Sequence, residues 1–457
     1  MAFAIFFDFS NLEFSTTLTS NQSQLSHQIY TGYSIYQIMK YRPRLADKEL
    51  ERNLKAFGAV LIEGPKWCGK TTTAEHISKS AIYFQNEDEF SKYEGIMEYK
   101  PSLLLNGENP RLIDEWQMIP RIWDVIRFDI DRRSEKGLYV LTGSTTVDET
   151  EIKHSGAGRI KRMTMGTMSL FESGDSDGSV SLTDLFENKD IGSESDTTFE
   201  EMAYIITRGG WPDSIDSDPE VAYEQIDGYC KTILKSDIHT VDGIKKDSER
   251  MFQIMRSLSR NISTSITDTK IVADIEHFEG TKIHVNTVKN YVSALKKLHV
   301  LYELPAWSPK LRSKATIRTS PTRHFCDPAI AAYFLGASAN NLMDDPETYG
   351  LIFESLVIRD LRTYVQGIGG QVYHYRDSNG MEADAVIHLK DGRWGLVEVK
   401  LGQSKVEEAS SNLLKLRNTI DLEIMGGPSF LAVITCNGYA YRREDGVYVV
   451  PITCLKN

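Results

Sequence analysis

The sequence is poor in cysteine and has no long apolar run, and both absences limit what the protein can be. Its 457 residues include only five cysteines, and their spacing suggests neither a disulfide framework nor a zinc site. No stretch approaches the length of a transmembrane helix, and the apolar start, Met1 to Phe7, lacks the basic segment of a secretory signal. We therefore predict a cytoplasmic protein with reduced thiols and no membrane association.

An excess of positive charge is also absent. Lysine and arginine number 52 against 64 acidic residues, a net charge of −12, which argues against a protein that coats nucleic acid uniformly. A local basic patch remains compatible with this total. Apolar residues make up 41% and charged residues 25%, the composition of a globular protein, and the length predicts more than one domain.

The order of apolar patterns divides the chain into segments. From Tyr41, apolar runs alternate with helical periods, which is typical of a parallel sheet covered on both faces. An acidic stretch rich in serine and glycine interrupts this pattern near Gly174, and strands return from Val372. We predict an α/β protein with these segments: a poorly ordered leader or a start site placed too early (1–39), a parallel-sheet core (40–172), an exposed acidic insertion or linker (173–200), a helical region (201–265), a winged helix (266–335) and a C-terminal α/β domain (336–457).

A phosphate-binding loop is the most specific motif. It fits G-x-x-x-x-G-K-[ST] and lies between the predicted strand Ala59 to Ile62 and the predicted helix Lys70 to Lys79. Backbone N–H groups of such a loop surround phosphates, the lysine reaches the β and γ phosphates, and the hydroxyl ligates Mg²⁺. We predict binding of ATP with Mg²⁺, the latter held in part by Thr71, through these residues: Gly64, Pro65, Lys66, Trp67, Cys68, Gly69, Lys70, Thr71 and Thr72.

Two polar strand ends complete the predicted nucleotide site. Leu112-Ile113 leads into Asp114 and Glu115, so we expect Asp114 to hold Mg²⁺ and Glu115 to polarise the attacking water. An ordinary strand end is the alternative. Ser144, at the end of the following strand, is a candidate sensor of the γ-phosphate or an ordinary turn serine.

Arginines beyond this strand are candidates for the transition-state cation. Arg159 and Arg162 lie in a basic segment that either supplies such a finger or is a solvated loop. Supply from a neighbouring subunit would require a homo-oligomer. Arg208, before Gly209-Gly210-Trp211-Pro212, is a weaker sensor candidate.

A basic helix-turn-helix pattern predicts a nucleic-acid partner, most simply DNA. Capped helices from Thr267 and Asn286 flank Gly280, and two strand-like runs, 300–304 and 316–318, would form a wing. Trp307 is a candidate for stacking on a base, and a structural module with a solvated basic face is the alternative. Between Thr281 and Phe325 one acid, Glu303, faces nine basic residues: Lys282, Lys289, Lys296, Lys297, Lys310, Arg312, Lys314, Arg318 and Arg323.

Acids and a lysine predict a second catalytic site near the C-terminus. Two strand-like runs flank the turn Lys390-Asp391-Gly392, so that Asp384 should lie opposite Glu398, with Lys400 on the same face as Glu398. Asp384 and Glu398 are then candidate Mg²⁺ ligands, Lys400 would orient or deprotonate water, and Glu354 is a further acid. A surface ion pair or an inactive relic is the alternative.

Several of these motifs, in this order, resemble a prokaryotic family. That family pairs an AAA-type P-loop ATPase core with a C-terminal domain of unknown function, DUF4143, and the resemblance covers residue 41 to the end. It implies ATPase activity and likens the C-terminal region to the PD-(D/E)XK nucleases, without supplying a substrate. The segments that carry it are Tyr41-Arg42-Pro43-Arg44, the phosphate loop, Leu112 to Gln117, Leu141-Thr142-Gly143-Ser144 and the series Glu354, Asp384, Glu398 and Lys400.

Overall fold

The computed structural model describes residues 41–144, 154–237, 246–308, 320–377, 380–420 and 426–457. The predicted leader (1–39) and four basic residues of the predicted wing, Lys310, Arg312, Lys314 and Arg318, lie outside the described residues. Among the helices in the described ranges, none has the length and apolar character needed to cross a membrane. Residues 43–457 form one compact unit, within which three modules follow one another along the chain.

The first module is a five-stranded parallel sheet in the order β2-β3-β4-β1-β5. Its central strands, β1, β3 and β4, are short apolar runs buried on both faces. Leu50 and Ala74 belong to the helices on one face, and Met97 and Ile126 to those on the other. The strands are β1 (Ala59–Glu63), β2 (Ser80–Tyr83), β3 (Arg111–Asp114), β4 (Tyr139–Gly143) and β5 (Ile160–Thr164). The helices are α1 (Leu45–Ala56), α2 (Lys70–Ile77), α3 (Glu87–Tyr99) and α4 (Ile122–Arg133).

The acidic segment 173–200, predicted as an exposed insertion, is instead folded into the protein. It contains buried Leu182, Leu185 and Phe186, which belong to the largest hydrophobic core. Within it, Ser181 caps the helix Leu182–Phe186 and Asp175 pairs with Arg208. Serine and aspartate therefore have structural roles here, although their abundance resembles that of a linker. The elements here are α5 (Leu170–Ser173), β6 (Val180–Ser181), α6 (Leu182–Phe186) and β7 (Ser193–Ser195).

Helices dominate the second module, which ends in a two-stranded antiparallel sheet. In α9, buried Met251, Ile254, Met255 and Leu258 follow the spacing of one helix face. Gly280 ends α10 with φ 64°, a left-handed conformation that favours glycine. The elements are α7 (Phe199–Arg208), α8 (Pro219–Thr232), a π-helix (Ile233–Asp237), α9 (Ser248–Arg260), α10 (Asp268–Glu279), α11 (Val285–Lys297), β8 (Leu301–Leu304) and β9 (Thr322–Phe325). The wing strand predicted at 316–318 lies outside the described residues.

A seven-stranded mixed sheet, ordered β10-β11-β12-β13-β15-β14-β7, forms the third module. Alternating residues of β12 divide between two cores: Val397 and Val399 face α14, and Leu396 faces α15. The segment 173–200 adds β7 to the sheet edge and pairs β6 with β16. The elements are α12 (Pro328–Leu335), α13 (Ala339–Asp344), α14 (Pro346–Ile368), β10 (Gly370–Arg376), β11 (Glu382–Leu389), β12 (Trp394–Lys400), α15 (Val406–Thr419), β13 (Phe430–Thr435), β14 (Gly438–Arg442), β15 (Tyr448–Pro451) and β16 (Leu455–Lys456).

Trp307, predicted as a stacking residue for nucleic acid, is a core residue. Only 2% of it is exposed, and its ring lies 4.8 Å from that of Trp394 in the core between the C-terminal sheet and α15. Its backbone N–H donates to the His374 carbonyl at 2.7 Å, which joins the end of β8 to the edge of β10. The stacking prediction is therefore wrong, because burial of the indole leaves no free ring face for a base.

Candidate functional site

The phosphate loop, Gly64–Thr71, leads from the carboxyl end of β1 into α2. At Gly64 a Cβ atom would lie 2.0 Å from the Met165 carbonyl oxygen, so the position requires glycine. Gly69 has φ 95°, and the buried Lys70 ammonium donates to the Pro65 carbonyl at 2.8 Å. The loop thus surrounds a lysine at the N-terminus of a helix, an arrangement that suits a bound phosphate.

Asp114, at the end of β3, is the buried centre of this site. β4 lies between β1 and β3, and the carboxyl ends of all three strands meet at one edge of the sheet. Asp114 Oδ1 accepts hydrogen bonds from Thr71 at 2.8 Å and Thr142 at 2.5 Å, and Oδ2 accepts one from Gln85 at 2.9 Å. Burial raises the pKa of the Asp114 carboxyl, while the two hydroxyl hydrogen bonds oppose this shift.

Glu115 and Ser144 face each other across the same edge. Glu115 has φ 53°, a conformation that is costly for a residue with a side chain and that is common in functional sites. Its carboxylate accepts hydrogen bonds from the Ser144 hydroxyl at 3.2 Å and from the Gln117 amide. The structure therefore brings the two predicted residues together and adds Gln117.

A cavity of about 590 Å³ opens in front of the loop, and its volume suits a nucleotide. Gln85, Pro212 and Asp213 are lining residues that the sequence prediction missed. Gln85 follows β2 at the carboxyl edge, a position that the strand pattern does signal. Pro212 and Asp213 belong to the second module, and no local sequence pattern predicts that they line the cavity. The full lining is Lys66, Trp67, Gly69, Lys70, Thr71, Thr72, Gln85, Glu115, Gln117, Met118, Ser144, Pro212 and Asp213.

Side chains from outside the sheet hold the loop backbone. The guanidinium of buried Arg44, before α1, donates to the Cys68 carbonyl at 2.7 Å and pairs with Glu172 at 3.0 Å. From the other side, the Trp211 indole donates to the Lys66 carbonyl at 3.2 Å. Two carbonyls of the phosphate loop are thus fixed by a buried cation and an indole.

The predicted arginines do not reach this cavity. The Arg159 carbonyl accepts a hydrogen bond from the N–H of Ala59, so it lies at the opposite end of β1 from the loop, and its guanidinium pairs with Asp131 at 2.7 Å. Arg159 therefore cannot act within its own subunit in this structure, and action on a neighbouring subunit stays a prediction. Arg162 pairs with Glu63 at 2.9 Å.

Arg208 also lies away from the nucleotide cavity. It is a buried partner of Asp175, with 2.5 Å between Nη2 and Oδ2. The sensor prediction for Arg208 is wrong, because this ion pair holds the guanidinium on the segment that follows α5.

In the C-terminal module, Asp384, Glu398 and Lys400 converge. The register Ala385 to Val397 places Asp384 beside Glu398, as the predicted hairpin requires. Lys400 Nζ lies 2.7 Å from Glu398 Oε2 and 3.7 Å from Asp384 Oδ2, and the Asp384 carboxylate also accepts the Val399 N–H at 2.7 Å. Glu354 of α14 is the third acid of this site. We call Glu354, Asp384, Glu398 and Lys400 the acid–lysine cluster.

Burial and mutual repulsion set the charges in the acid–lysine cluster. Burial and the charge of Asp384 raise the pKa of Glu398 to about 8 and the pKa of Glu354 well above its ordinary value. Burial opposes protonation of Lys400, but the two nearby carboxylates raise its pKa. The excess of acids suits a divalent cation, yet no three His, Cys, Asp or Glu side chains in the described ranges are grouped to hold one.

The strand order and the site define the first module as a P-loop nucleotide-binding module. Residues 56–173 match the family described as AAA domain, and residues 349–455 match Domain of unknown function (DUF4143). Residues 199–341, predicted as separate helical and winged-helix segments, match one family, Domain of unknown function (DUF8612). The AAA match followed by the C-terminal DUF4143 match confirms the resemblance seen in the sequence.

Two mycobacterial proteins are similar to this chain over most of its length. The Mycobacterium tuberculosis protein Rv2008c and the Mycobacterium bovis protein Mb2031c, both described as uncharacterized, are each 21% identical over 93% of this chain and 87% of their own length. A solved structure of the Aeropyrum pernix Orc1 protein in complex with DNA is 11% identical over 68% of this chain and 95% of its own length. Its TM-score is 0.25.

The raised pKa of Glu398 predicts how stability varies with pH. Between the ordinary pKa of 4.5 and the folded value of about 8, the folded state keeps a proton that the unfolded state loses. The free energy of unfolding should therefore fall as pH rises through this interval, by at most about 1.4 kcal/mol per pH unit. Glu398→Gln cannot ionise, so its stability relative to the wild type should increase from pH 5 to pH 8 in urea unfolding. The exposed variant Glu444→Gln is the control, and parallel curves for Glu398→Gln and the wild type would refute the shift.

Proposed function

We propose that the chain binds ATP with Mg²⁺ in the cavity at the phosphate loop and hydrolyses it. The contact between Thr71 and buried Asp114, beside Lys70, carries this proposal. Thr71 and Asp114 offer oxygen donors that fit Mg²⁺, which would neutralise phosphate charge when bound. Lys70 would bind the β and γ phosphates, Ser144 would contact the γ-phosphate, and Glu115 would orient and polarise the attacking water.

Lys70→Ala tests nucleotide binding. Loss of the ammonium inside the loop should weaken ATP binding by about a hundredfold or more, because the phosphates would lose a charged hydrogen-bond donor. Titration calorimetry measures the affinity. Lys79→Ala, an equal charge change at an exposed position outside the loop, should bind ATP like the wild type. Normal binding by Lys70→Ala would overturn the proposal.

We further propose that the second module binds DNA, with α10, α11, β8 and β9 forming a winged helix. The exposed residues Asn286, Lys289, Asn290 and Ser293 lie on one face of α11, at the spacing of a helix surface. Such a polar face, with the positive charge of Lys289, suits a major groove and its phosphates. Two of the predicted basic residues are not free to bind phosphates, because Lys296 and Arg323 pair with Glu303.

Ionic strength tests the DNA proposal. The logarithm of the affinity for a DNA duplex should fall linearly with the logarithm of salt concentration. Lys289→Ala should reduce the magnitude of that slope by about 0.9, the contribution of one phosphate contact. Fluorescence anisotropy measures both. Lys136→Ala, exposed on the first module, should leave the slope unchanged. A salt-independent or absent interaction would exclude this partner.

We also propose that the acid–lysine cluster is a Mg²⁺-dependent, PD-(D/E)XK-like nuclease site. Asp384 and Glu398 would hold the ion, which would polarise a scissile phosphate. Because its pKa is raised, Lys400 would orient water and stabilise negative charge rather than accept a proton. Two observations favour a second candidate, a nucleotide-dependent switch with an inactive C-terminal domain. Lys400 pairs with both carboxylates, and among the described residues no three His, Cys, Asp or Glu side chains are grouped to hold a metal ion.

Lys400→Ala separates the two candidates. If the cluster cuts DNA, wild-type protein with Mg²⁺ should cleave or nick a plasmid. Lys400→Ala should lose this activity and keep its ATP hydrolysis, because the cluster and the phosphate loop are separate sites. Lys405→Ala, an exposed lysine nearby, should cleave normally. No cleavage by the wild type under any nucleotide condition would leave the switch as the function.

A further inference from the structure

A buried arginine of α14 lies at the centre of a network of ionic contacts. Arg359 Nη1 lies 2.9 Å from Asp327 Oδ2, and Nη2 lies 2.8 Å from Asp360 Oδ1. The side chain of Arg359 is 5% exposed, and the two carboxylates are fully buried. Removing one partner from such a group leaves a buried charge uncompensated, so the three side chains constrain one another strongly.

Asp327 connects this network to the nucleotide cavity. Its Oδ2 also accepts the Gly210 N–H at 3.0 Å and the Thr167 hydroxyl at 2.8 Å, while the Gly210 carbonyl accepts the Met168 N–H at 2.6 Å. A Cβ at Gly210 would lie 2.4 Å from the Met168 carbonyl oxygen, so this close approach of the two backbones requires glycine. The carboxylate therefore fixes the segment 209–213, which holds the Lys66 carbonyl through Trp211 and lines the cavity with Pro212 and Asp213.

Asp360 connects the network to the other side of the phosphate loop. Its Oδ2 accepts the Leu170 N–H at 2.9 Å, at the start of α5. In the same short helix, Glu172 pairs with Arg44, which donates to the Cys68 carbonyl. Two chains of contacts from Arg359 thus end on two carbonyls of the phosphate loop.

We propose that Arg359 is a positioning residue of the nucleotide site, which holds the segment 209–213 and the phosphate loop in place through Asp327 and Asp360. This inference rests on the proposed binding of ATP. Arg359 is not among the residues that line the cavity. Its helix also carries Glu354, five residues earlier and roughly 8 Å away along the axis. The same rigid helix therefore joins the nucleotide site to the acid–lysine cluster.

Arg359→Lys tests the positioning role. Lysine keeps the charge but lacks the planar fork that contacts two carboxylates at once. The KM for ATP should rise about tenfold with kcat changed less than twofold, because binding geometry is disturbed and Glu115 is not. Arg260→Lys is the matched control, since Arg260 pairs with Asp274 at 2.6 Å and Glu279 at 3.0 Å in the second module. It should retain the wild-type KM.

Hydrogen exchange of the wild-type protein gives a measurement that needs no variant. Addition of a non-hydrolysable ATP analogue should slow exchange in peptides covering 205–215 and 355–362 as well as in the phosphate loop. Peptides covering 268–279 serve as the internal control and should not change. Protection confined to the phosphate loop and α2, or a wild-type KM for folded Arg359→Lys, would overturn the inference and leave the ATPase proposal intact. Absence of nucleotide binding by the wild type would instead refute both.

Discussion

The conformation of the phosphate loop depends on hydrogen bonds from side chains that lie outside its own sheet. Arg44 fixes the Cys68 carbonyl and Trp211 fixes the Lys66 carbonyl, while Met165 leaves room only for glycine at position 64. A loop held in this way has its N–H groups oriented before phosphate arrives, so less ordering is needed on binding. The nucleotide site is consequently a property of the whole compact unit and not of the first module alone.

The modules are joined by backbone pairing as well as by side chains. The strand β7 extends the C-terminal sheet, β6 pairs with β16, and the residues after β8 pair with the edge of β10. One large hydrophobic core includes residues from α5 to β16. The phosphate loop and the acid–lysine cluster therefore belong to one continuously packed structure, which is compatible with either a nuclease controlled by ATP or a switch.

Local patterns were enough to predict part of this structure. The strand, loop and helix around Lys70, the position of Asp114, and the hairpin that aligns Asp384 with Glu398 all follow from periodicity and turn residues over short stretches of sequence. The burial of Trp307 and the folding of 173–200 into the C-terminal sheet depend on partners more than sixty residues away. The roles of Arg44, Pro212 and Arg359 are equally long-range, because each depends on residues far away along the chain. Composition misled most in the segment 173–200, where Ser181 caps a helix and Asp175 pairs with buried Arg208.

A structure of the protein with a non-hydrolysable ATP analogue and Mg²⁺ tests the central claim most directly. The account predicts a triphosphate enclosed by Gly64–Thr71, with its terminal phosphate at Lys70, the metal ion beside Thr71 and Asp114, and Pro212 and Asp213 against the bound nucleotide. An analogue bound elsewhere, or an empty loop at millimolar analogue, would contradict it.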